Sequence, residues 1–295
     1  MIYGREKYKY INENINKLIN EKKCLISVHR GTRGANIIEN TIDAFKLAYA
    51  FGADMVELDI AKSTDDVLYC FHDTTEPYNI GVHRNIQTLP STVIDEFRLI
   101  NSIGVETEKH INKFEDVLKT FNQPHQLINI DRAFDNLDKL KLLLQLLDKY
   151  PDCIKQVVYK SPIKDEILEI LNNHPIKYMY MPLVYSMKDL EALDKYENIN
   201  FVGAEVIIRN ENSEFLKDDN LKKISEKGLF IWYNAITLGD GPKWSLTNFY
   251  NDDVSILKGP EYGWKKLLEW NAQIIQTDWP HFLKEYLKEY YKKTE

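Results

Sequence analysis

Cysteine is scarce. Cys24, Cys70 and Cys153 stand far apart in 295 residues, with none of the close spacings that bind zinc or frame a small disulfide scaffold. Long apolar runs are missing as well. Nothing approaches the roughly 20 residues that span a bilayer, and residues 1–23 are charged, without the apolar core of a signal peptide. These absences predict a cytoplasmic chain without stable membrane insertion, although a leader already removed would leave no trace. Positive charge is also in deficit. Lys+Arg number 38 against 45 Asp+Glu, a net charge of −7, which argues against a nucleic-acid platform. No internal repeat, low-complexity tract or linker interrupts the chain. What is plentiful is core material, 44% hydrophobic and 12% aromatic.

The chemistry concentrates in Glu57-Leu58-Asp59-Ile60 and in Val67–Asp73. Carboxylates two apart on a strand share a face, and Val56, Leu58 and Ile60 take the other. Burying two such acids together costs free energy unless a cation or proton sits between them. Ser63-Thr64-Asp65-Asp66 is too short for a crossover helix, so the second run folds back and brings His72 toward the acids. A carboxylate pair with a histidine points to a hard metal ion with an acid/base group; a solvated hairpin is the competing reading.

Along the chain, residues 6–22 read as an amphipathic helix capping the fold, and Cys24–Val28 as a strand running into His29-Arg30-Gly31. Asn40 and Thr41 read as helix-capping residues before the stripe Ile42, Phe45, Tyr49. After His72-Asp73 the pattern loosens into polar and helical pieces through about residue 112. Strand-helix alternation then becomes regular, with strands at Leu127–Asp131, Lys155–Lys160, Tyr178–Val184, Phe201–Ile208, Gly228–Tyr233 and Gln273–Thr277. With Cys24–Val28 and Met55–Ile60 there are eight, which favours a closed (β/α)8 TIM barrel over an open sheet. The whole chain, 1–295, reads as one such domain, with 1–23 a helical cap and 74–113 an active-site insertion. Active sites of these barrels form at the C-terminal strand ends. Those ends carry His29 and Arg30, Glu57 and Asp59, Asp131, Lys160, Glu205, Trp232 with Asn234, and Thr277-Asp278. Oxygen-only ligation by Glu57, Asp59 and Asp131 selects Mg²⁺ or Ca²⁺ over Zn²⁺.

His29-Arg30-Gly31, Glu39-Asn40-Thr41, Glu57-Leu58-Asp59, His72-Asp73, Asn129-Ile130-Asp131, Trp232 with Asn234, and Thr277-Asp278-Trp279-Pro280 occur in an order that resembles the glycerophosphodiester phosphodiesterases. The likeness spans about residues 24–285. It implies a barrel of the phospholipase C-like phosphodiesterase type and metal-dependent hydrolysis of a small phosphodiester to an alcohol and glycerol phosphate. The route it implies is attack by the neighbouring glycerol hydroxyl on phosphorus, followed by hydrolysis of a cyclic intermediate. His29 and His72 share the acid/base work, and Glu57, Asp59 and Asp131 hold the metal. The chain departs from the pattern at Ile38, where a proline is usual, and at Asp131, where the family has Glu and the related sphingomyelinases D have Asp. Ala133 stands where a basic residue commonly follows. Lys160, at the end of the neighbouring strand, is expected to supply that missing cation by reaching the space above Ala133.

Arg30 is expected to contact phosphate, because its planar fork matches phosphate oxygens, with pairing to Asp73 the simpler alternative. Trp232 is expected to pack against substrate. Glu205 is expected to meet a cationic head group or to pair with Lys160, and Asp278 to brace the last loop. Two other functions compete. A phospholipase or sphingomyelinase D-like activity on intact lipids needs an apolar rim, which the acidic chain does not advertise. A catalytically silent phosphodiester-binding protein is favoured by Asp131 and Ala133 and opposed by both histidines. The sequence names no head group and no oligomeric state.

Overall fold

The computed structural model describes residues 2–217 and 219–294. Its frame is eight parallel strands: β1 Leu25–Val28, β2 Met55–Lys62, β3 Leu127–Asp131, β4 Val157–Pro162, β5 Met179–Val184, β6 Gly203–Val206, β7 Phe230–Asn234 and β8 Ile274–Thr277. Each pairs with the next in sequence order, and β8 returns to β1 through Leu25↔Ile274 to Val28↔Thr277. Closure leaves no unpaired edge. The eight-strand expectation and the barrel are therefore both met. The expected strand over 201–208 is broken at Val202: Asn200–Phe201 pairs with β5, and β6 begins at Gly203. A Cβ at Gly203 would overlap the Phe230 ring, so only glycine lets β6 approach β7 there.

Alternation along the strands separates two cores. Leu25, Met55, Leu127, Val158, Met179, Met181, Phe230, Trp232 and Ile274 point inward and form one apolar cluster with Ile15, Leu18 and Ile19 of the helix Glu13–Lys22. That helix closes the N-terminal end of the barrel. It begins later than the sequence pattern predicts, after a separate 3₁₀ turn at Glu6–Tyr8, and its buried N-cap Asn12 bonds Asn200 at 2.9 and 2.8 Å. The outward faces pack against Phe45, Leu140, Leu143, Leu147, Ile167, Trp264 and Leu283 of the surrounding helices. Two helices escaped the sequence reading, Asp252–Leu257 and the C-terminal Pro280–Thr294. The second was legible in principle, since Leu283 and Leu287 recur at helical spacing and both are buried.

Leu68–Cys70 pairs antiparallel with the far end of β2, through Ile60↔Cys70 to Lys62↔Leu68, as the short turn requires. Residues 74–113 hold two short helices and, contrary to the expectation of polar and helical pieces alone, an antiparallel ribbon of Arg98–Ile100 with Glu106–His110. Ile80, Ile86, Leu89, Ile94, Leu99 and Ile111 give this lobe its own core, packed on Tyr69 and Phe71 of the arm. All three cysteines are buried and free. Burial pushes the Cys153 thiol up to about 12, so it packs as an inert apolar group.

Candidate active site

Above the apolar layer the barrel interior turns polar. Glu57, Asp59 and Asp131 each offer an oxygen within 4.8 Å of the others, Glu57 and Asp59 being buried and Asp131 partly so. The register explains it: Glu57 faces Asn129 and Asp59 faces Asp131 on adjacent strands. Burial, then the charges of Asp59 and Asp131, push the Glu57 carboxyl well above the ordinary carboxylate range, against the pull of Lys160 and Arg30. Such a cluster favours a cation in its midst.

Two cations already contribute. Lys160, 2% exposed, places Nζ 3.0 Å from Asp131, 3.2 Å from Glu205 and 4.0 Å from Glu57. Burial alone would lower its pKa, but Asp131, Glu205 and Glu57 outweigh that and raise it. Arg30 pairs with Asp59 at 2.9 Å and with Glu39 at 3.0 Å. It does not pair with Asp73, whose carboxylate accepts from Arg132 at 2.6 and 3.1 Å. Glu57, Asp59, Asp131 and Glu205 share Lys160 and Arg30, and Arg30 is also engaged by Glu39, so acids outnumber cations here, an excess that a divalent ion offsets. The all-oxygen donor set fits such an ion, with Glu57, Asp59 and Asp131 as its holders.

Asp59 is held from a distance. Asn40 donates to Asp59 Oδ2 at 2.9 Å and accepts from the Asp59 amide at 3.0 Å. The helix cap belongs to Thr41, whose hydroxyl accepts from Ala44, so the sequence reading of Asn40 as a capping residue is corrected. Asn40 adopts φ +56°, and Arg30 and Arg132 stand at +54° and +60°. Non-glycine residues hold that geometry where their surroundings compel it. The turn after Arg30 requires Gly31, since a Cβ there would lie 2.7 Å from the backbone of Ala44. Asn40→Ala is expected to weaken divalent-ion affinity by about 10–100-fold while the fold stays intact; calorimetric titration of Mg²⁺ or Ca²⁺ checks it, and unchanged affinity refutes it.

His29 follows β1, with its backbone amide donating to Thr277 and Nδ1 3.1 Å from Asp278 Oδ1. Despite burial, His29, Arg33 and Arg30 hold Asp278 below its usual pKa, so it is an ionised acceptor. Asp278 thus orients His29 as well as bracing the loop, a role the sequence reading missed. His72 ends the arm, where the Phe71 amide donates to Asp59 O at 3.0 Å, and its Nδ1 contacts the Asp73 carbonyl. Trp232 lies fully buried under the charged layer, its ring centroid 5.6 Å from Lys160 Nζ. It is a floor beneath Lys160, whatever it later meets. Ala133 is fully buried in the apolar layer between strands and helices, so the space above it is not the barrel mouth. The left-handed turn at Arg132 sends Ala133 outward, and Lys160 acts instead on Asp131 and Glu205.

The likeness to known proteins follows the same residues. The glycerophosphoryl diester phosphodiesterase family matches residues 29–232, from the first candidate histidine to the buried tryptophan. Residues 178–287 also match a family described as a domain of unknown function. Rat lysophospholipase D GDPD1 is 25% identical over 157 residues, covering 51% of this chain and 45% of that protein. A glycerophosphodiester phosphodiesterase of Caldanaerobacter subterraneus subsp. tengcongensis is 47% identical over 53 residues, 18% of this chain and 21% of that one. The chain thus matches less than half the length of these curated relatives. A glycerophosphoryl diester phosphodiesterase from Parabacteroides distasonis superposes with a TM-score of 0.69 at 15% identity, covering 90% of this chain and 86% of the other. An Oleispira antarctica phosphodiesterase solved with its product sn-glycerol-3-phosphate gives 0.63 at 15%, covering 90% and 96%. At those identities the structures establish the fold, and the family match, spanning well over half the sequence, establishes the lineage: this chain belongs to the glycerophosphoryl diester phosphodiesterase family.

Proposed function

We propose that this chain hydrolyses a small glycerophosphodiester to an alcohol and glycerol phosphate, using a divalent cation held by Glu57, Asp59 and Asp131. The observation that carries the reading is the convergence of those three acids within 4.8 Å of one another. A bound divalent ion neutralises phosphate charge and lowers the pKa of a hydroxyl it touches. The protein's own groups do the rest. His29 and His72 share the proton transfers, one taking the hydroxyl proton and the other returning a proton to the leaving oxygen. Asp278 keeps the His29 proton on Nδ1, since an ionised carboxylate only accepts, and so leaves Nε2 to act. Lys160 and Arg30 stabilise the charge that builds on the phosphate oxygens. The 74–113 lobe stands beside this mouth as a substrate cover.

A metal-dependence assay on glycerophosphocholine tests the reading. Chelation is expected to abolish hydrolysis, and Mg²⁺ or Ca²⁺ to restore it. Undiminished turnover after chelation, or binding without turnover when metal is present, defeats it; the latter outcome is that of a silent binding protein.

One observation favours a second substrate class. The expectation of a rim without apolar loops is not met. Tyr78, Ile103 and Val105 of the lobe, Tyr185 after β5, Leu238 and Trp244 after β7, and Trp279 after β8 are exposed on connections at the mouth side. Such a rim suits the acyl chain of a lysophospholipid, and the mammalian relatives are named lysophospholipase D. Among the described residues no helix is long and apolar enough to cross a membrane. Faster turnover of lysophosphatidylcholine than of glycerophosphocholine, with binding to lysolipid-containing liposomes, supports this class, and the reverse preference without liposome binding removes it.

A further inference from the structure

We propose that Asp252 is a positioning residue for His29, acting through Asp278, and that turnover falls when Asp252 gains a proton; the catalytic part rests on the phosphodiesterase reading above. Asp252 is 1% exposed and lies outside the acid cluster that would hold the metal. It opens the helix Asp252–Leu257, but the cap is made by Asn251, whose side chain accepts from Val254, so the Asp252 carboxylate is free to face the barrel. There it gathers three donors. Oδ1 accepts from Trp264 Nε1 at 2.8 Å and from the Thr277 hydroxyl at 2.9 Å, and Oδ2 accepts from the Asp278 amide at 2.8 Å. Its own amide donates to Ala235 O at 2.7 Å. The buried carboxylate thereby ties the end of β8 and the helix Trp264–Glu269 to the backbone of the residue that orients His29, and the Asp252 amide fixes the same residue to the chain just after β7.

An ionised carboxylate satisfies three donors, whereas its protonated form must donate and has lost an acceptor. Two of those donors, the Trp264 ring N–H and the Asp278 amide, cannot accept, and a neutral carboxyl accepts more weakly than a carboxylate, so protonation weakens hydrogen bonds in a buried network. The charged groups around it are Asp278, with His29 and Arg33 on its far side, and Asp253 and His281 lining the same cavity. Burial raises Asp252 to about 7; the neighbouring Asp278 charge adds to this and the three hydrogen bonds oppose it. The sign follows. As pH falls through about 7, Asp252 takes up a proton and loses its charge, its grip on the Asp278 amide weakens, and the hold on His29 Nδ1 loosens.

The test uses the full chain, with ¹⁵N-histidine NMR beside kcat and KM measured against pH. In the unaltered protein neutral His29 is expected as the Nδ1–H tautomer, and turnover to fall with an acid limb centred near 7. Asp252→Asn, confirmed as folded by its melting curve, is expected to lower kcat about tenfold at pH 8 with little change in KM, flatten that limb, and release the tautomer preference. Thr277→Val keeps the carboxylate but removes a donor, and is expected to move the limb to higher pH. A folded Asp252→Asn with the His29 tautomer and the pH limb unchanged overturns the proposal. Should that variant not fold, Thr277→Val with both unmoved overturns it equally. If the NMR changes appear but the protein hydrolyses no glycerophosphodiester, the phosphodiesterase reading falls and the positioning of His29 stands.

Discussion

Replacing Lys160 by Met is expected to lower turnover by about 10²–10³-fold, the range for removing one preorganised group that stabilises transition-state charge. The ammonium lies inside the barrel between Asp131 and Glu205, on the strand face expected to point inward, and within 4.0 Å of Glu57. Stability should fall as well, by about 3–5 kcal/mol, because deleting one partner strands buried carboxylates without their counter-charge. That coupling is separable. Glu205, 2% exposed, serves the ammonium and is not among the three converging metal candidates. The double variant Lys160→Met/Glu205→Gln should therefore recover part of the stability and none of the turnover. Denaturant melts with steady-state kinetics on both variants decide the matter. Wild-type turnover in Lys160→Met, or joint recovery of stability and activity in the double variant, sinks the catalytic role of Lys160. Placing Lys at position 133 is not expected to rescue it, since Ala133 sits in the apolar outer layer, where an ammonium would be unpaired.

His29→Ala and His72→Ala are each expected to cost about 10²–10⁴-fold in turnover, the range for one positioned acid or base. Neither histidine fills the hydrophobic core. Their side chains are 12% and 21% exposed and meet polar partners, Asp278 for His29 and Asp73 for His72. Melting curves should accordingly stay near wild type. If the two act as one proton-transfer unit, the double variant loses little more than either single one. Full turnover in either folded single variant removes that residue from the mechanism, and strictly multiplicative losses argue for independent roles. Asp278→Asn should be milder than His29→Ala, since it disturbs orientation and leaves the imidazole in place.

The barrel was legible because its signals are local. Continuously apolar strands separated by helical periods follow from backbone geometry, and eight of them close a sheet whose both faces are covered. The acid pair was legible for the same reason, since Glu57 and Asp59 share a face on any strand, and the four-residue turn returns the arm carrying His72. Register then brought Asp131 beside Asp59. What only the tertiary structure decided lies between elements distant in sequence. Asn40 reaches Asp59, Lys160 joins acids from three other strands, Arg132 takes Asp73, and Asp252 secures Asp278 beside His29. Three of the deciding residues, Arg30, Asn40 and Arg132, stand in the left-handed region, which non-glycine residues enter when packing and hydrogen bonds demand it. Local pattern sets which face a side chain takes; closure of the barrel sets which partner it meets, so Asn40 and the reach of Lys160 were misread, and the contact of Asp278 with His29 was missed, where the partner came from another element.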